Sequence, residues 1–392
     1  MNHRMFQLPK NTLLIAGASL FADMSTEMLT PILPIFLTQA LHANGSVVGL
    51  VDGIAQAIRN IIDGGPLSDK LRKRKVIAAT GYAMSAVAKP LMGLSSMWQA
   101  VLGARILDRL GAGARSAPRD AIVASSLGTR DRGRGFGLEA LGENAGAFVG
   151  PIATVLLLYT LQVDIRIVFY VAFIPALAAL AIISFVVEQR PPADNPNTST
   201  LVRPSEFPRS YWRFLIAVAL FSIGNSSNSF LILRTQEAGA SILMTTLVYA
   251  GFNLIAALVS YPLTHLSDKL GRKTVLLGSF FVFLITYIGF AFTLNLVAII
   301  AMFLFYGVYQ GSFRSVSRAL ASDLAPEHLR ASGIGWFSAT VGLCQLIASL
   351  VAGLLWDVLS HRSAFLYGIA SAVAGIIATM VLVPRERERR DP

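Results

Sequence analysis

The sequence predicts an all-α membrane protein with twelve transmembrane helices arranged in two pseudo-symmetric six-helix bundles. Three observations support this fold class: the composition, a series of long apolar runs, and a set of motifs that occurs twice. Of the 392 residues, 54% are hydrophobic and only 14% are charged. A soluble domain usually has about 25% charged residues, so the chain has the composition of a membrane protein.

The apolar runs are each long enough to cross a hydrocarbon core of roughly 30 Å. Lipid offers no hydrogen-bond partner to free backbone groups, so each run is expected to be a helix. The twelve predicted spans are residues 11–40, 46–69, 76–96, 98–118, 134–160, 165–187, 212–235, 241–265, 274–294, 297–316, 331–356 and 363–383.

A polar stretch at residues 188–211 separates the first six spans from the last six. It is rich in Pro, Ser, Thr and Asn and has no apolar periodicity, which is typical of a linker. The predicted domains are therefore an N-terminal bundle of residues 1–187, a cytoplasmic linker, and a C-terminal bundle of residues 212–392. Because six spans return the chain to the same side, the bundles should be related by an axis along the membrane normal.

The basic residues are distributed unevenly. The net charge is +11, and most Lys and Arg fall in the termini or in loops on one side, including residues 70–75, 130–134, 269–273 and 385–390. This positive-inside pattern explains the charge by topology and argues against nucleic-acid binding. We expect a multi-pass protein of a cell inner (cytoplasmic) membrane with both termini cytoplasmic. The first span shows no convincing cleavage site and is expected to be retained.

Several classes of site are not indicated. The single cysteine, Cys344, cannot form an intrachain disulfide, and no His or Cys spacing suggests a metal site. There is no Walker loop and no catalytic constellation. The sequence therefore predicts a monomeric non-enzyme with no cofactor and no metal, whose partners are a small-molecule substrate, protons and the lipid bilayer.

Three short segments recur in the same order in both halves. Two of them repeat at a separation of 199 residues, and the third after a shift of one residue. This order supports a duplicated six-span plan. The matched pairs are 67–71 with 266–270, 115–119 with 314–318, and 135–137 with 333–335.

The first pair carries a family resemblance that covers essentially the whole chain. The segments GPLSDKLRKRK and THLSDKLGRK, each between the second and third spans of a half, resemble motif A of the major facilitator superfamily. Arg72 and Thr264 stand where the motif has glycines. An acid near a helix N-terminus meets the positive end of the helix dipole and can pair with nearby Arg and Lys. The resemblance implies that this group acts as a conformational latch. The alternative is that the basic residues only set the membrane topology. The predicted latch residues are Gly65, Asp69, Arg74, Asp268, Gly271, Arg272 and Lys273.

The fifth span resembles motif C, the signature of drug–proton antiporters. Gly137, Gly146, Gly150 and Pro151 keep its spacing, but Thr154 and Val155 replace the two glycines that normally follow. Glycines four apart allow close helix packing, and proline bends a helix. Ordinary packing is the alternative interpretation; the resemblance favours export.

Ionisable residues inside a membrane are costly, so each is a functional candidate. Asp23 and Glu27 lie four residues apart in the first span, hence on one helical face. Two close carboxylates in low dielectric do not both ionise easily, which suits proton coupling; a structural ion network with Arg59 or Arg109 is the alternative. The equivalent segment of the seventh span is uncharged, and its predicted substrate-binding residues are Asn225, Ser226, Ser227 and Asn228.

The remaining buried charges are expected to form a cavity charge network. We expect the charges of the fourth span, Arg105, Asp108 and Arg109, to pair with Glu139 and Glu143 of the fifth span, or to switch partners, rather than to contact substrate directly. For Lys89, a structural role and an anion contact both remain open. The predicted network contains Asp52, Arg59, Asp63, Lys89, Arg105, Asp108, Arg109, Glu139 and Glu143.

Two functions are compatible with these features. The leading hypothesis is a proton-coupled secondary active transporter that works by alternating access and exports a small amphipathic or cationic molecule in exchange for protons. The alternative is proton-coupled uptake of an organic anion, such as a carboxylate metabolite or siderophore, bound by Arg59, Lys89, Arg105 and Arg109. A receptor or lipid scramblase on the same scaffold would show no accumulation driven by a pH gradient.

Overall fold

The computed structural model describes residues 9–63, 74–127, 132–187 and 204–383. Within these ranges every regular element is helical, as the composition predicts. Most of the predicted linker lies outside the described residues, as do Gly65, Asp69 and the side chains of Asp63 and Arg74.

The described part of the chain contains α-helices, π-helical turns and 3₁₀ turns. Two π-helical turns, Phe36–Ala40 and Leu156–Thr160, extend the first and fifth spans, and 3₁₀ turns occur at Pro204–Glu206 and Glu327–Leu329. The α-helices are α1 (Lys10–Leu29), α2 (Leu33–Ile35), α3 (Gly45–Asp63), α4 (Arg74–Leu94), α5 (Trp98–Ser126), α6 (Arg132–Val155), α7 (Ile165–Ser184), α8 (Arg209–Ser222), α9 (Ser229–Glu237), α10 (Ile242–Leu270), α11 (Arg272–Phe292), α12 (Leu296–Leu324), α13 (Arg330–Val358) and α14 (His361–Leu382).

Each predicted span contains a helix. In the described part of the chain, eight helical segments are long and apolar enough to cross a membrane by length and composition alone. The other four spans fall short for two reasons. The helices α3, α4 and α5 are less apolar or more charged, whereas α8 and α9 have only 14 and 9 residues.

The seventh predicted span is not one continuous helix, which corrects the sequence interpretation of 212–235 as a single element. The break falls at residues 223–228, between α8 and α9. Its sequence, IGNSSN, is rich in residues that favour turns over helix. The first span also breaks: α1 ends at Leu29, before Pro31 and Pro34, because proline cannot donate the helical hydrogen bond.

The helices form two compact units. One unit groups residues 1–33 with 65–200, and the other groups residues 34–64 with 201–392. The predicted domain boundaries place α3 in the N-terminal bundle, whereas the packing groups α3 with the C-terminal helices. The division of the chain at 188–211 remains a prediction.

In the first unit, α1 packs against α6 and α7, and α4 packs against α5 and α7. Its core is built mainly from small and aliphatic side chains, and Tyr82 lies among them. Small side chains let membrane helices approach closely, so that backbone groups come into contact. This close approach positions the charged groups described below.

In the second unit, the core is aromatic. Phe221 stacks on Phe280 with ring centroids 3.8 Å apart, and Phe283 stacks on Tyr287 at 3.9 Å. Tyr306 and Tyr309 complete the cluster, and the three tyrosines are almost fully buried. Buried tyrosines need hydrogen-bond partners for their hydroxyl groups, so this core can hold polar side chains.

The helix α3 packs along α13 through glycines on both helices. A Cβ added to Gly49 would lie 2.1 Å from the Ser349 carbonyl oxygen, and one added to Gly353 would lie 2.6 Å from the Ser46 Cα. Asp357 caps the start of α3, because its carboxylate accepts hydrogen bonds of 2.8 Å from the backbone amides of Gly45 and Ser46. A carboxylate at this position also meets the positive end of the helix dipole.

Candidate functional site

The crossing of α1 and α6 is set by glycine. A Cβ added to Gly146 would lie 2.3 Å from the Leu20 carbonyl oxygen, and one added to Gly150 would lie 2.5 Å from the Met24 carbonyl oxygen. Both distances are below any normal contact, and the obstructing atoms belong to the backbone. Only glycine fits at these two positions.

Gly137, the first glycine of the antiporter-type pattern, does not belong to this crossing, because a Cβ added there would meet no atom within 4 Å. Gly142 takes the equivalent place, with its added Cβ 2.4 Å from the Ala16 carbonyl oxygen. The contacting glycines are therefore 142, 146 and 150, which follow a regular four-residue spacing. Close packing explains this spacing without reference to transport direction.

Thr154, which replaces a glycine of the family pattern, has a specific contact. Its hydroxyl donates a 2.8 Å hydrogen bond to the Met28 carbonyl oxygen. That carbonyl lies at the end of α1, where the Ile32 amide donates to Leu29 instead. The threonine thus satisfies a carbonyl that the break before Pro31 releases from the helix.

Replacing Thr154 by valine is expected to lower the free energy of unfolding by about 1 kcal/mol, because the Met28 carbonyl loses a donor in a dry environment. Valine keeps the shape of the side chain. Denaturation of the purified protein in detergent measures the change. Thr80→Val is the matched control, since the Thr80 hydroxyl bonds within its own helix at an exposed position; an equal loss in both variants would contradict this role.

Asp23 and Glu27 lie at the α1–α6 crossing. Both side chains are half-buried. A Cβ added to Gly146 would lie 3.2 Å from Asp23 Cβ, and one added to Gly150 would lie 3.1 Å from the backbone of Glu27. The acid pair is thus held in the part of α1 whose position the glycines fix.

A second acidic group lies on α5 and α6, around one guanidinium. Arg119 Nε is 2.5 Å from Glu139 Oε1, and Arg119 Nη1 is 2.7 Å from Glu143 Oε1. Asp120 contacts the same side chain at 3.3 Å, and Arg119 Nη1 donates to the Ser19 hydroxyl of α1 at 3.3 Å. Three carboxylates therefore share Arg119, which also connects them to α1.

A third group surrounds Asp108 in the middle of α5. Lys89 Nζ lies 3.0 Å from Asp108 Oδ1, while Arg105 Nη1 and Arg109 Nε lie 3.4 and 3.5 Å from Asp108 Oδ2. All four side chains are buried. A buried charge is tolerated when it is paired and hydrogen-bonded, and Asp108 provides this pairing for three cations.

The predicted charge network is therefore divided. Its six members on α4, α5 and α6 form the two groups around Asp108 and Arg119, whereas Asp52, Arg59 and Asp63 lie on α3 in the second unit. Arg105 and Arg109 contact Asp108 on their own helix, whereas Glu139 and Glu143 contact Arg119, which the prediction did not include. The role of these residues as one cavity network remains a prediction.

Sequence reasoning left two residues out of this network, Arg115 and Arg119. Both appeared only as ends of a repeated motif. Arg119 lies beyond residue 118, where the fourth span was predicted to end, whereas α5 continues to Ser126. Arg115 lies inside the predicted span and was not recognised as a buried charge. Arg115 and Arg119 follow Asp108 by 7 and 11 residues, about two and three helical turns, so the three residues lie on one face of α5. This spacing is the signal that could have found the two arginines.

In the second unit, Asn225 and Ser226 contact buried tyrosines. Asn225 Nδ2 donates to the Tyr309 hydroxyl at 2.9 Å, and the Tyr306 hydroxyl donates to Asn225 Oδ1 at 3.3 Å. The hydroxyls of Ser226 and Tyr287 lie 3.4 Å apart. The tyrosines appeared in the sequence only as aromatic members of apolar runs, so their polar contacts were not predicted.

Ser227 has a different partner. Its hydroxyl donates to Asp52 Oδ2 at 2.9 Å, and the Ser229 hydroxyl donates to the same oxygen. The break between α8 and α9 thus meets a carboxylate of α3. The side chain of Asn228 caps no backbone amide of α9. The predicted substrate-binding role of residues 225–228 remains a prediction.

The second copy of the latch motif lies between α10 and α11. Gly271 has φ +91°, a conformation that favours glycine. Arg272 Nε lies 2.5 Å from Asp323 Oδ2, and Arg272 Nη2 lies 3.6 Å from Asp268 Oδ1. Lys273 donates to the Met380 carbonyl oxygen at 2.9 Å. These contacts connect the start of α11 to the ends of α10, α12 and α14.

Comparison with known proteins agrees with this architecture. The sequence matches the Major Facilitator Superfamily over residues 15–234 and 214–392. It is 36% identical over 386 residues to the MFS-type transporter MJ1317 of Methanocaldococcus jannaschii, covering 96% of this chain and 95% of that one. It is 28% identical over 338 residues to a probable 4-methylmuconolactone transporter of Cupriavidus pinatubonensis, covering 81% and 76%.

Among solved structures, the nucleoside transporter NupG superimposes with a TM-score of 0.78 at 14% identity, covering 95% of this chain and 99% of that chain. At this identity the likeness supports the fold alone. The family match over both halves and the 36% identical relative show that this chain is a multi-pass membrane transporter, not an enzyme, and belongs to the major facilitator superfamily.

Proposed function

We propose that this chain is a proton-coupled secondary active transporter that works by alternating access. The observation that carries the proposal is the sharing of Arg119 by Glu139 and Glu143. A proton competes with Arg119 for each carboxylate, so protonation weakens one ion pair and lets the guanidinium move toward the other acid. Proton binding is thereby linked to the position of a side chain that joins α5, α6 and α1.

The acid pair on α1 extends this linkage. Arg119 donates to Ser19, which lies one helical turn before Asp23 and two turns before Glu27 on the same face. We assign Asp23 and Glu27 to proton exchange with the aqueous phase, since both are half-buried. Glu139, whose side chain is only 5% exposed, would exchange its proton through Glu143, which is more exposed.

The cargo has two candidate classes. Export of a small amphipathic or cationic molecule in exchange for protons agrees with the antiporter-type spacing of α6. Close packing accounts for that spacing equally well, and Gly137 takes no part in it. Uptake of an organic anion together with protons is favoured by one specific observation, the buried cations Lys89 and Arg115 of the first unit.

The direction of proton movement distinguishes these classes. Purified protein would be reconstituted in liposomes that contain a pH-sensitive dye, and ethidium (a cation) or quinate (a polar monocarboxylate) would be added outside. Inward movement of an anion with protons acidifies the interior, whereas exchange of a cation against protons makes it alkaline. Cargo flux that ignores an imposed pH gradient would contradict the proposal.

Neutralising the acids should separate their roles. Glu139→Gln is expected to reduce gradient-driven accumulation about tenfold or more, because proton transfer by a positioned group typically contributes at least that much. Asp23→Asn and Glu27→Gln should each shift the pH dependence of transport while leaving cargo exchange at equal pH intact. Full gradient-driven accumulation in all three variants would remove these residues from the coupling path. Glu327→Gln, at an exposed acid that pairs with Arg330, serves as a control outside it.

A further inference from the structure

The first unit contains a narrow crevice between α1, α4, α5 and α7 whose polar lining is not used by the coupling path. It is lined by Ala22, Tyr82, Ser85, Lys89, Arg115, Ala176 and Ala179. The three alanines lie on α1 and α7, whereas the two cations and two hydroxyls lie on α4 and α5. In this conformation the crevice is too narrow for a water molecule.

Among the described residues, Arg115 is a buried cation that has no acidic partner. Its side chain donates to the Ser85 hydroxyl at 3.2 Å, and its Cζ lies 4.7 Å from the centre of the Tyr82 ring. In the part of the chain that the structure describes, no carboxylate lies within ion-pair distance of this guanidinium. A hydroxyl and an aromatic face compensate a buried charge only in part.

Tyr82 provides an independent indication of a ligand. Its side chain is 2% exposed, and within the described residues its hydroxyl has no hydrogen-bond partner. Water cannot supply one, because the crevice has no room for it. Buried hydroxyl groups are almost always hydrogen-bonded, so this conformation carries a penalty that an acceptor atom in the crevice would remove.

The neighbouring cation completes the set. Lys89 Nζ donates to Asp108 Oδ1 at 3.0 Å and to the Ser85 carbonyl oxygen at 3.2 Å. An ammonium has three donors, so the third remains for a ligand. A guanidinium, an ammonium and a phenol hydroxyl all donate, and together they match an anion with two acceptor oxygens.

We propose that this crevice binds the carboxylate of a small organic anion, with Arg115 and Lys89 pairing its charge, Tyr82 donating to one oxygen, and the alanines contacting its carbon. The inference rests on the proposed transport function and deepens it by assigning the charged group of the cargo. Because the crevice is closed in this conformation, binding requires Tyr82 and Arg115 to separate. The ligand then replaces the contact between the cation and the ring.

Ligand binding to the purified full-length protein in detergent tests this site. The probes are benzoate and benzamide, which have nearly the same shape but differ in charge, with benzylammonium as the cationic counterpart. We expect saturable thermal stabilisation by benzoate and none by the other two. Equal effects of benzoate and benzamide, no effect of benzoate, or stabilisation by benzylammonium alone would each overturn the proposal.

Two substitutions locate the binding. Arg115→Gln is expected to weaken benzoate binding about tenfold or more, since a charge-assisted hydrogen bond is lost. Tyr82→Phe, which keeps the ring, should weaken it about threefold to tenfold on the same grounds. Arg314→Gln is the matched control, because Arg314 occupies the equivalent position of the repeat and is exposed. Unchanged binding in Tyr82→Phe would overturn the site even if Arg115→Gln fails to fold.

The two levels of the proposal fail separately. Binding in detergent requires no gradient, so benzoate binding without proton-driven flux of any probe would contradict the transport mechanism and leave the site intact. Proton-driven flux of ethidium without benzoate binding would contradict the site and leave the coupling mechanism intact.

Discussion

Replacing Arg119 by glutamine is expected to abolish proton-driven transport and to lower the free energy of unfolding by about 3–5 kcal/mol, the usual cost of removing one partner of a buried ion pair. The side chains of Glu139 and Glu143 are 5% and 31% exposed, so they would lose their shared cation in a medium of low dielectric. Gradient-driven flux in liposomes and denaturation in detergent measure the two effects.

A second substitution separates charge from packing. Glu139→Gln in the Arg119→Gln background should restore part of the lost stability, because it removes the more buried of the uncompensated charges. It should not restore proton coupling. Arg318→Gln is the matched control, because Arg318 is the repeat counterpart of Arg119 and is exposed. This substitution should change the free energy of unfolding by no more than about 0.5 kcal/mol. Equal losses in Arg119→Gln and Arg318→Gln would show that the cluster has no special role.

The second large effect concerns the α1–α6 crossing. Gly146→Ala is expected to cost about 1–3 kcal/mol by overpacking, because the new Cβ would lie 2.3 Å from the Leu20 carbonyl oxygen. Gly146→Val should cost more and prevent transport, since α1 must move away from α6 together with its acids. Denaturation in detergent and flux in liposomes again provide the measurements.

Gly137→Ala is the control for this series, and it should not lower the free energy of unfolding. A Cβ at this exposed position meets no atom within 4 Å, and alanine is favoured over glycine within a helix by roughly 0.5–1 kcal/mol. We therefore expect unchanged or slightly increased stability and normal flux. A loss at Gly137 as large as that at Gly146 would contradict the assignment of the crossing to glycines 142, 146 and 150.

The parts of the fold that sequence could predict are those set by composition and local spacing. Long apolar runs locate the helices because the bilayer imposes their length. The spacing of Gly146 and Gly150 predicts close packing because glycines four apart lie on one face. The release of α1 before Pro31 follows from the missing amide of proline.

Other features depend on partners that are distant in sequence. Two of the three acids that contact Arg119 lie 20 and 24 positions later, on α6. Nothing local in the sequence indicates that α5 extends far enough to reach them. In the sequence, the tyrosines around Asn225 lie in apolar runs. Only the folded structure shows that their hydroxyls have polar partners. No sequence pattern indicates that α3 packs against α13, because glycine spacing specifies a close contact but not the identity of the other helix.

The packing of α3 also has a consequence for a nicked form of the protein. Residues 34–64 lie on the N-terminal side of the 188–211 stretch, yet they form one compact unit with residues 201–392. A protease that cuts within that stretch therefore divides the chain into two fragments. Residues 34–64 of the first fragment nevertheless belong to the same compact unit as the second fragment. We expect the two fragments to co-purify in mild detergent. The close packing of Gly49 against Ser349 and the hydrogen bonds from the first amides of α3 to the Asp357 carboxylate would keep them together.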